Sequence, residues 1–252
     1  MAGTAFTTLG DYVDDYVSGA SDEAALLLRA SVFVFQDFSR KTHCWKETID
    51  EIDVVADQKA YTLTPGTNHC TAAEIIGLNK AEYKEDDADD IRFATLDLKA
   101  KEWMDVYDKG WENRDSGTVP YRCFWNELDG KLYLIDTPGD DSDEGLKVEV
   151  MLMPGLAATT APTFIFKKYS RILTRGIAGY LMQMTNQRWS NTELGDRYWR
   201  KYMDGRNLAQ QEVDRGAARL EDFHVIPEQA FTGGAKNRSR GTSTGFGGNL
   251  SA

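Results

Sequence analysis

The period of the apolar residues changes twice along this chain. Between Asp22 and Lys41, Ala24, Leu27, Leu28, Ser31, Phe35 and Phe38 follow the three-to-four spacing of one helical face. Leu26, Val32, Phe33 and Val34 make the other faces apolar too, which predicts a helix buried on several sides. From Cys44 to Leu63 the period shifts towards two, the signature of strands. After Pro162 it returns to helix, with Ile165, Tyr169, Ile172, Leu173, Gly176, Tyr180 and Met184 on one face. A chain that reads helix, strands, helix predicts an α+β fold: a helical bundle of N- and C-terminal helices with an inserted antiparallel β-rich region.

Local signals place the elements. Thr8 is expected to cap a short helix through Val17, and Ser21 a second helix from Asp22 to about Lys41. Thr71–Leu78 reads as a partly β-branched strand. The six acids among residues 82 to 90 (Glu82, Glu85, Asp86, Asp87, Asp89 and Asp90) read as a solvated loop. A short helix is expected from about Leu98 to Tyr107, with Trp103, Val106 and Tyr107 on one side, before the break from Gly110 to Pro120. The clearest hairpin joins Tyr121–Asn126 to Lys131–Ile135 through Leu128, Asp129 and Gly130, since Asp-Gly supplies the positive φ of a tight turn. Thr137–Gly145 reads as a polar loop, and Leu146, Val148, Val150 and Leu152 alternate as a strand ended by Pro154.

Gly176 and Gly179 lie inside the predicted helix after Pro162, where each disfavours helix by roughly 1 kcal/mol against Ala, so a close helix neighbour is expected. Ser190 with Glu193 fits a capping box opening a long helix to about Leu220. Residues 231–252 are rich in glycine and contain no acid, which predicts a flexible C-terminal tail. The expected organisation is therefore an N-terminal helical hairpin (1–43), a β-rich insertion (44–154), C-terminal helices completing the bundle (155–222) and an extended tail (223–252).

Charge narrows the function. The chain has 40 acids, 29 bases and a net charge of -11. That argues against a general nucleic-acid groove, which needs clustered cations. Residues 1–230 carry all 40 acids against 26 bases, while the tail holds Lys236, Arg238 and Arg240. Three cysteines, Cys44, Cys70 and Cys123, are too few for a disulfide framework and read as assembly in a reducing cytoplasm. Neither a signal sequence nor an apolar run of membrane-spanning length is expected, so no membrane partner is.

No motif predicts catalysis, a metal or a cofactor. The pairs His43-Cys44 and His69-Cys70 lack the separation of zinc ligands, and neighbours on a strand point to opposite faces. Asp140, Ser142, Glu144 and Gly145 imitate a calcium loop whose twelfth position is Met151 where a Glu is needed. No nucleophile elbow, phosphate loop or HExxH helix is present. A carboxylate pair stays open, because no sequence reports the separation of two acids. On the helix after Pro162, Lys167, Arg171 and Arg175 form a basic stripe with two readings: a solvated face, or a surface that pairs with acids on a neighbouring subunit.

Taken in order, Trp111–Pro120, Tyr121–Trp125, Lys131–Pro138, Leu146–Pro154 and the helices around Leu181–Tyr202 with Trp189, Ser190 and Asn191 form a pattern. This pattern resembles the head-to-tail adaptor (connector) proteins of short-tailed bacteriophages over most of residues 1–220. The resemblance implies a structural virion protein assembled in the host cytoplasm and located at the head-tail interface. It implies a ring of identical subunits, commonly a dodecamer, beneath the portal protein, presenting a surface to the tail nozzle protein. Genome DNA would pass through its lumen without sequence-specific binding, and an acidic body would repel phosphates there.

Two site expectations follow. The face bearing Leu26 and Phe33, too apolar for one domain to cover, is expected at the subunit interface together with the Lys167, Arg171 and Arg175 stripe. By analogy with adaptors the tail wraps onto the portal, with Phe231, Phe246 and Leu250 as anchors and Lys236, Arg238 and Arg240 attracting an acidic surface. The alternatives are a virion-associated peptidoglycan hydrolase using a carboxylate pair and a carbohydrate-binding β module.

Overall fold

A computed structural model of the chain describes residues 3–66, 69–87, 90–111 and 119–215. It is mixed α+β. The N-terminal strand β1 (Thr4–Ala5) pairs with β10 (Thr160–Ala161), bringing the chain start to the beginning of α4 (Thr163–Gln183). Between β1 and the long helix α2 (Ala24–Thr42), residues Phe6–Leu9 form a 3-10 turn that runs into the short α1 (Gly10–Asp14). The expected caps serve otherwise. Thr8 donates its hydroxyl to the Ala5 carbonyl (2.7 Å), and Ser21 bonds the Asp14 carboxylate through both hydroxyl and amide, so α2 starts three residues after Ser21 without a side-chain cap. The Asp14 carboxyl is held below the usual range by those Ser21 bonds.

The helix α2 ends at His43, whose left-handed backbone (φ 49) lets its N–H reach the Ser39 carbonyl at 2.9 Å. Leu27, Ala30, Val32, Val34, Phe35 and Phe38 are all buried on it. Phe6 meets Phe35 edge-on at 4.9 Å, and Phe38 contacts Tyr169 of α4 at 5.0 Å. Helix α5 (Thr192–Asp214) lies against both α2 and α4.

Close approach explains the helix glycines. A Cβ on Gly176 would stand 2.7 Å from the Tyr202 ring and 2.8 Å from Val34, and one on Gly179 would stand 2.9 Å from the Trp199 backbone nitrogen. Nothing larger fits where α4 meets α5. The N-cap of α5 is Asn191, which accepts the Leu194 N–H at 3.1 Å, and not Ser190, whose hydroxyl is held by the Met184 carbonyl and the Gln187 N–H. A side-chain oxygen caps the amide three residues on, so moving the cap by one residue also removes Glu193 from the box. The expected extension of this helix to Leu220 lies outside the described residues.

Two four-stranded sheets fill the segment between α2 and α4. In the first, β2 (Lys46–Val54), β9 (Ser142–Pro154), β4 (Ala73–Asp87) and β5 (Asp90–Thr95) lie antiparallel in that order. Strand β9 is central, and Leu146, Val148, Val150 and Leu152 are fully buried, as their alternation predicts. Strand β2 hydrogen-bonds it with Lys46 opposite Met151 and Val54 opposite Ser142.

The acidic run is a correction. Its residues 82–87 are the end of β4, and Glu82 to Asp87 pair in register with Thr95 to Asp90 of β5. Ala81 and Tyr83 are buried and continue the alternation inward, so the ladder forms although the chain around them is densely charged. The polar loop after Thr137 is likewise shorter than expected, since β9 starts at Ser142.

The second sheet runs β3 (Ala60–Thr62), β8 (Lys131–Ile135), β7 (Arg122–Asn126) and β6 (Asp97–Leu98). The hairpin of β7 and β8 forms as expected with a wider turn. Four residues separate the strands, the Gly130 N–H bonds the Asn126 carbonyl at 2.9 Å, and Gly130 has φ +66. Under this sheet Met104, Trp111, Phe124 and Ile135 form a small core of their own. Met104 is the fully buried residue of α3 (Lys101–Tyr107), whereas Val106 and Tyr107 are exposed, so the expected face of that helix is rotated.

Candidate functional site

The expected interface residues occupy two separate surfaces. On α2, Leu26 is half-buried against the chain's own core, and Val32 and Val34 are covered completely. Phe33 remains 43% exposed and stacks on Tyr180 of α4 (centroids 4.7 Å apart, 30° between planes), with Trp199 of α5 at 6.4 Å. Most of the apolar surplus of α2 is therefore covered within one copy. What reaches the surface is an aromatic stack contributed by all three long helices.

The basic stripe lies elsewhere on α4. Tyr180 is five residues beyond Arg175, which at about 100° per residue turns it roughly 140° away. Lys167 and Arg171 are exposed and Arg175 is half-buried. Among the described residues none of the three forms an ion pair or side-chain hydrogen bond. Their neighbour Lys168 pairs with Glu212 of α5 at 2.6 Å, and that contact raises its pKa. Phe164, one turn before the stripe, is 47% exposed.

A polar clip missed by sequence reasoning fixes α5 to α2. The Tyr202 hydroxyl donates to Asp37 of α2 at 2.7 Å, beside the Val34 carbonyl at 3.2 Å, and the Arg206 guanidinium donates to the same Asp37 oxygen at 2.7 Å. Burial, followed by the neighbouring Asp37 charge, pushes the Tyr202 hydroxyl far above its ordinary pKa. Asp37 and Arg206 are 165 or more residues apart in sequence from their partners, so only the fold pairs them. A second bridge is Arg188, which donates to the Gly19 carbonyl (2.6 Å) and pairs with Asp22 (2.8 Å).

Charge is distributed unevenly. Residues 46–154 carry 26 acids and 12 bases, a net of -14, while residues 155–214 carry 5 acids and 9 bases, a net of +4. The register of the first sheet gathers acids at the end of it remote from Pro154. Asp50 and Asp53 of β2 and Asp143 and Glu144 of β9 are exposed there.

The other candidates do little chemically. Cys44, Cys70 and Cys123 are all thiols whose pKa burial raises, Cys123 to about 12, which disfavours the thiolate. Among the described residues no group of three or more His, Cys, Asp or Glu could hold a metal ion. No described helix is long and apolar enough to cross a membrane. The expected tail contacts Phe231, Lys236, Arg238, Arg240, Phe246 and Leu250 lie outside the described residues. No protein-family model matches the chain, and no curated protein matches it in sequence.

Proposed function

We propose that this chain is a structural subunit of a head-to-tail adaptor ring, seated between the portal and the tail nozzle of a short-tailed phage and leaving a channel for the genome. On this reading it belongs to the virion, self-assembles into a closed ring and has no catalytic activity. The observation that carries the reading is the packing of helices from the two ends of the folded body on one another. Helix α2 meets α4 and α5, while the strand-rich residues 46–154 lie between them in sequence. This packing supports a reading as a helical bundle with an inserted β region, the order of elements on which the resemblance rests.

A ring also needs two different surfaces per copy, one for each neighbour. The Phe33, Tyr180 and Trp199 stack is one surface open to a neighbour, and the α4 stripe, which has no ion-pair partner among the described residues, lies on another face.

Electron cryo-microscopy of the purified protein mixed with portal tests the assembly directly. The expected result is a closed ring on the portal, and a monomer that never engages portal would refute it. Phe33→Asp is the informative variant at the α2 surface, because Leu26→Asp also disturbs the protein's own core. Folded Phe33→Asp protein should form rings poorly, and normal rings would remove α2 from the interface. Deleting residues 231–252 should leave helical content intact and abolish co-sedimentation with portal. Zymography on peptidoglycan should show no cleavage above a heat-killed control.

A further inference from the structure

We infer that the basic stripe of α4 seats the acidic outer end of the β2 and β9 pair of a neighbouring copy of this chain. The inference rests on the ring reading above and specifies one of its contacts. Lys167, Arg171 and Arg175 lack ion-pair partners within the described residues, although Lys168 beside them has found one. Their i, i+4, i+8 spacing spreads three cations over about 12 Å of one helical face.

The complementary surface has a similar length. Asp50 and Asp53 lie about 10 Å apart along β2, with Asp143 and Glu144 beside them at the start of β9. None of these four is in an ion pair among the described residues. Strand β2 is at the edge of its sheet, so no further strand among the described residues pairs with it on its outer side. Each surface also has an apolar neighbour: Phe164 beside the stripe is 47% exposed, and Val55 after Asp53 is 46% exposed.

One copy cannot satisfy itself. Gln36 of α2 donates to the Pro154 carbonyl at the near end of β9, whereas Asp143 and Glu144 lie at its far end, about 35 Å along the strand. A second copy can supply them. The contact is heterologous, so each subunit uses its stripe on one side and its acidic corner on the other, as a closed ring requires.

Two charge-reversed full-length proteins test this. One carries Lys167→Glu, Arg171→Glu and Arg175→Glu; the other carries Asp50→Lys, Asp143→Lys and Glu144→Lys. Circular dichroism confirms that each is folded, and sedimentation velocity at about 50 mM salt reads assembly. Each variant alone should associate at least about tenfold more weakly than wild type, an effect that shrinks as salt screens the charges. An equimolar mixture should regain assembly, because every junction between unlike variants again joins opposite charges. Reversing Lys101 and Lys109 to Glu, outside both surfaces, should leave assembly unchanged.

Wild-type rings accompanied by normal rings from either folded variant would overturn this contact and leave the ring reading standing. Failure of the mixture to assemble would also overturn it. A monomeric wild type would overturn both. Loss of DNA retention by the stripe variant with normal rings would assign the stripe to the genome instead. If either triple variant is unfolded, the corresponding single reversals, Arg171→Glu or Asp143→Lys, are read in the same way with a smaller weakening.

Discussion

The long helices and the acidic sheet are held together by opposite means. Where α4 crosses α5, backbone meets backbone: a Cβ on Gly179 would stand 2.9 Å from the Trp199 nitrogen and 3.1 Å from the Gly195 carbonyl oxygen, leaving no room for it. At the outer end of the first sheet, β4 and β5 pair through their backbones along a run of sequence dense in acids. The helices are specified by shape and the strand ends by the hydrogen-bond ladder. A region fixed by shape tolerates few substitutions, whereas a ladder tolerates many provided the inward alternation survives.

The largest expected effect attacks the shape side of that contrast. Gly179→Val should destabilise the protein by about 3 kcal/mol, because the clash is with backbone that no rotamer change relieves. Denaturant unfolding measures it, and a loss under about 1 kcal/mol would show that the crossing is looser than described. Next is the clip. Asp37→Ala should cost about 2 kcal/mol by leaving the Arg206 guanidinium without its carboxylate in a largely buried site and the Tyr202 hydroxyl with only the longer bond to the Val34 carbonyl.

Alkali separates the clip from general surface charge. The folded-state pKa of Tyr202 lies above its unfolded value, so the folded state keeps this proton more tightly. The resulting stability is full below the unfolded value of about 10 and is lost progressively as pH rises above it. Tyr202→Phe should therefore flatten the fall in stability above about pH 10, and an unchanged slope would assign that fall to other groups.

Smaller effects belong to the sheets. Gly130→Val should cost about 1 kcal/mol, since a β-branched residue is strained at φ +66 although the space is open. Neutralising the acidic corner with Asp50→Asn and Asp143→Asn should raise stability by a few tenths of a kcal/mol through relief of like-charge repulsion. A loss comparable to that of Asp37→Ala would mean that these acids have partners inside the copy.

Local pattern was enough for much of the fold. The three-to-four spacing marked α2 and α4, the alternation from Leu146 to Leu152 marked β9, and the Asp129-Gly130 pair marked the β7 and β8 hairpin. Gly176 and Gly179 announced a close neighbour without naming it. The charge imbalance between residues 46–154 and 155–214 is also present in the sequence, although counting over the whole body conceals it.

Other features depend on residues far apart in the chain. The acids of β4 became strand because β5 and β9 pair with them, and composition reports exposure rather than backbone pairing. The apolar surplus of α2 is mostly covered because α4, α5 and the N-terminal segment close over Val32, Val34 and Phe35, leaving Phe33 at the surface. Asn191 rather than Ser190 capped α5, since competing acceptors and donors from Met184 and Gln187 had already engaged Ser190. Periodicity is a property of neighbours in sequence, so the chain alone determined where helices and most strands lie. Which face is covered, and by what, was decided only when residues more than a hundred and fifty positions apart, such as Asp37 and Arg206, came into contact.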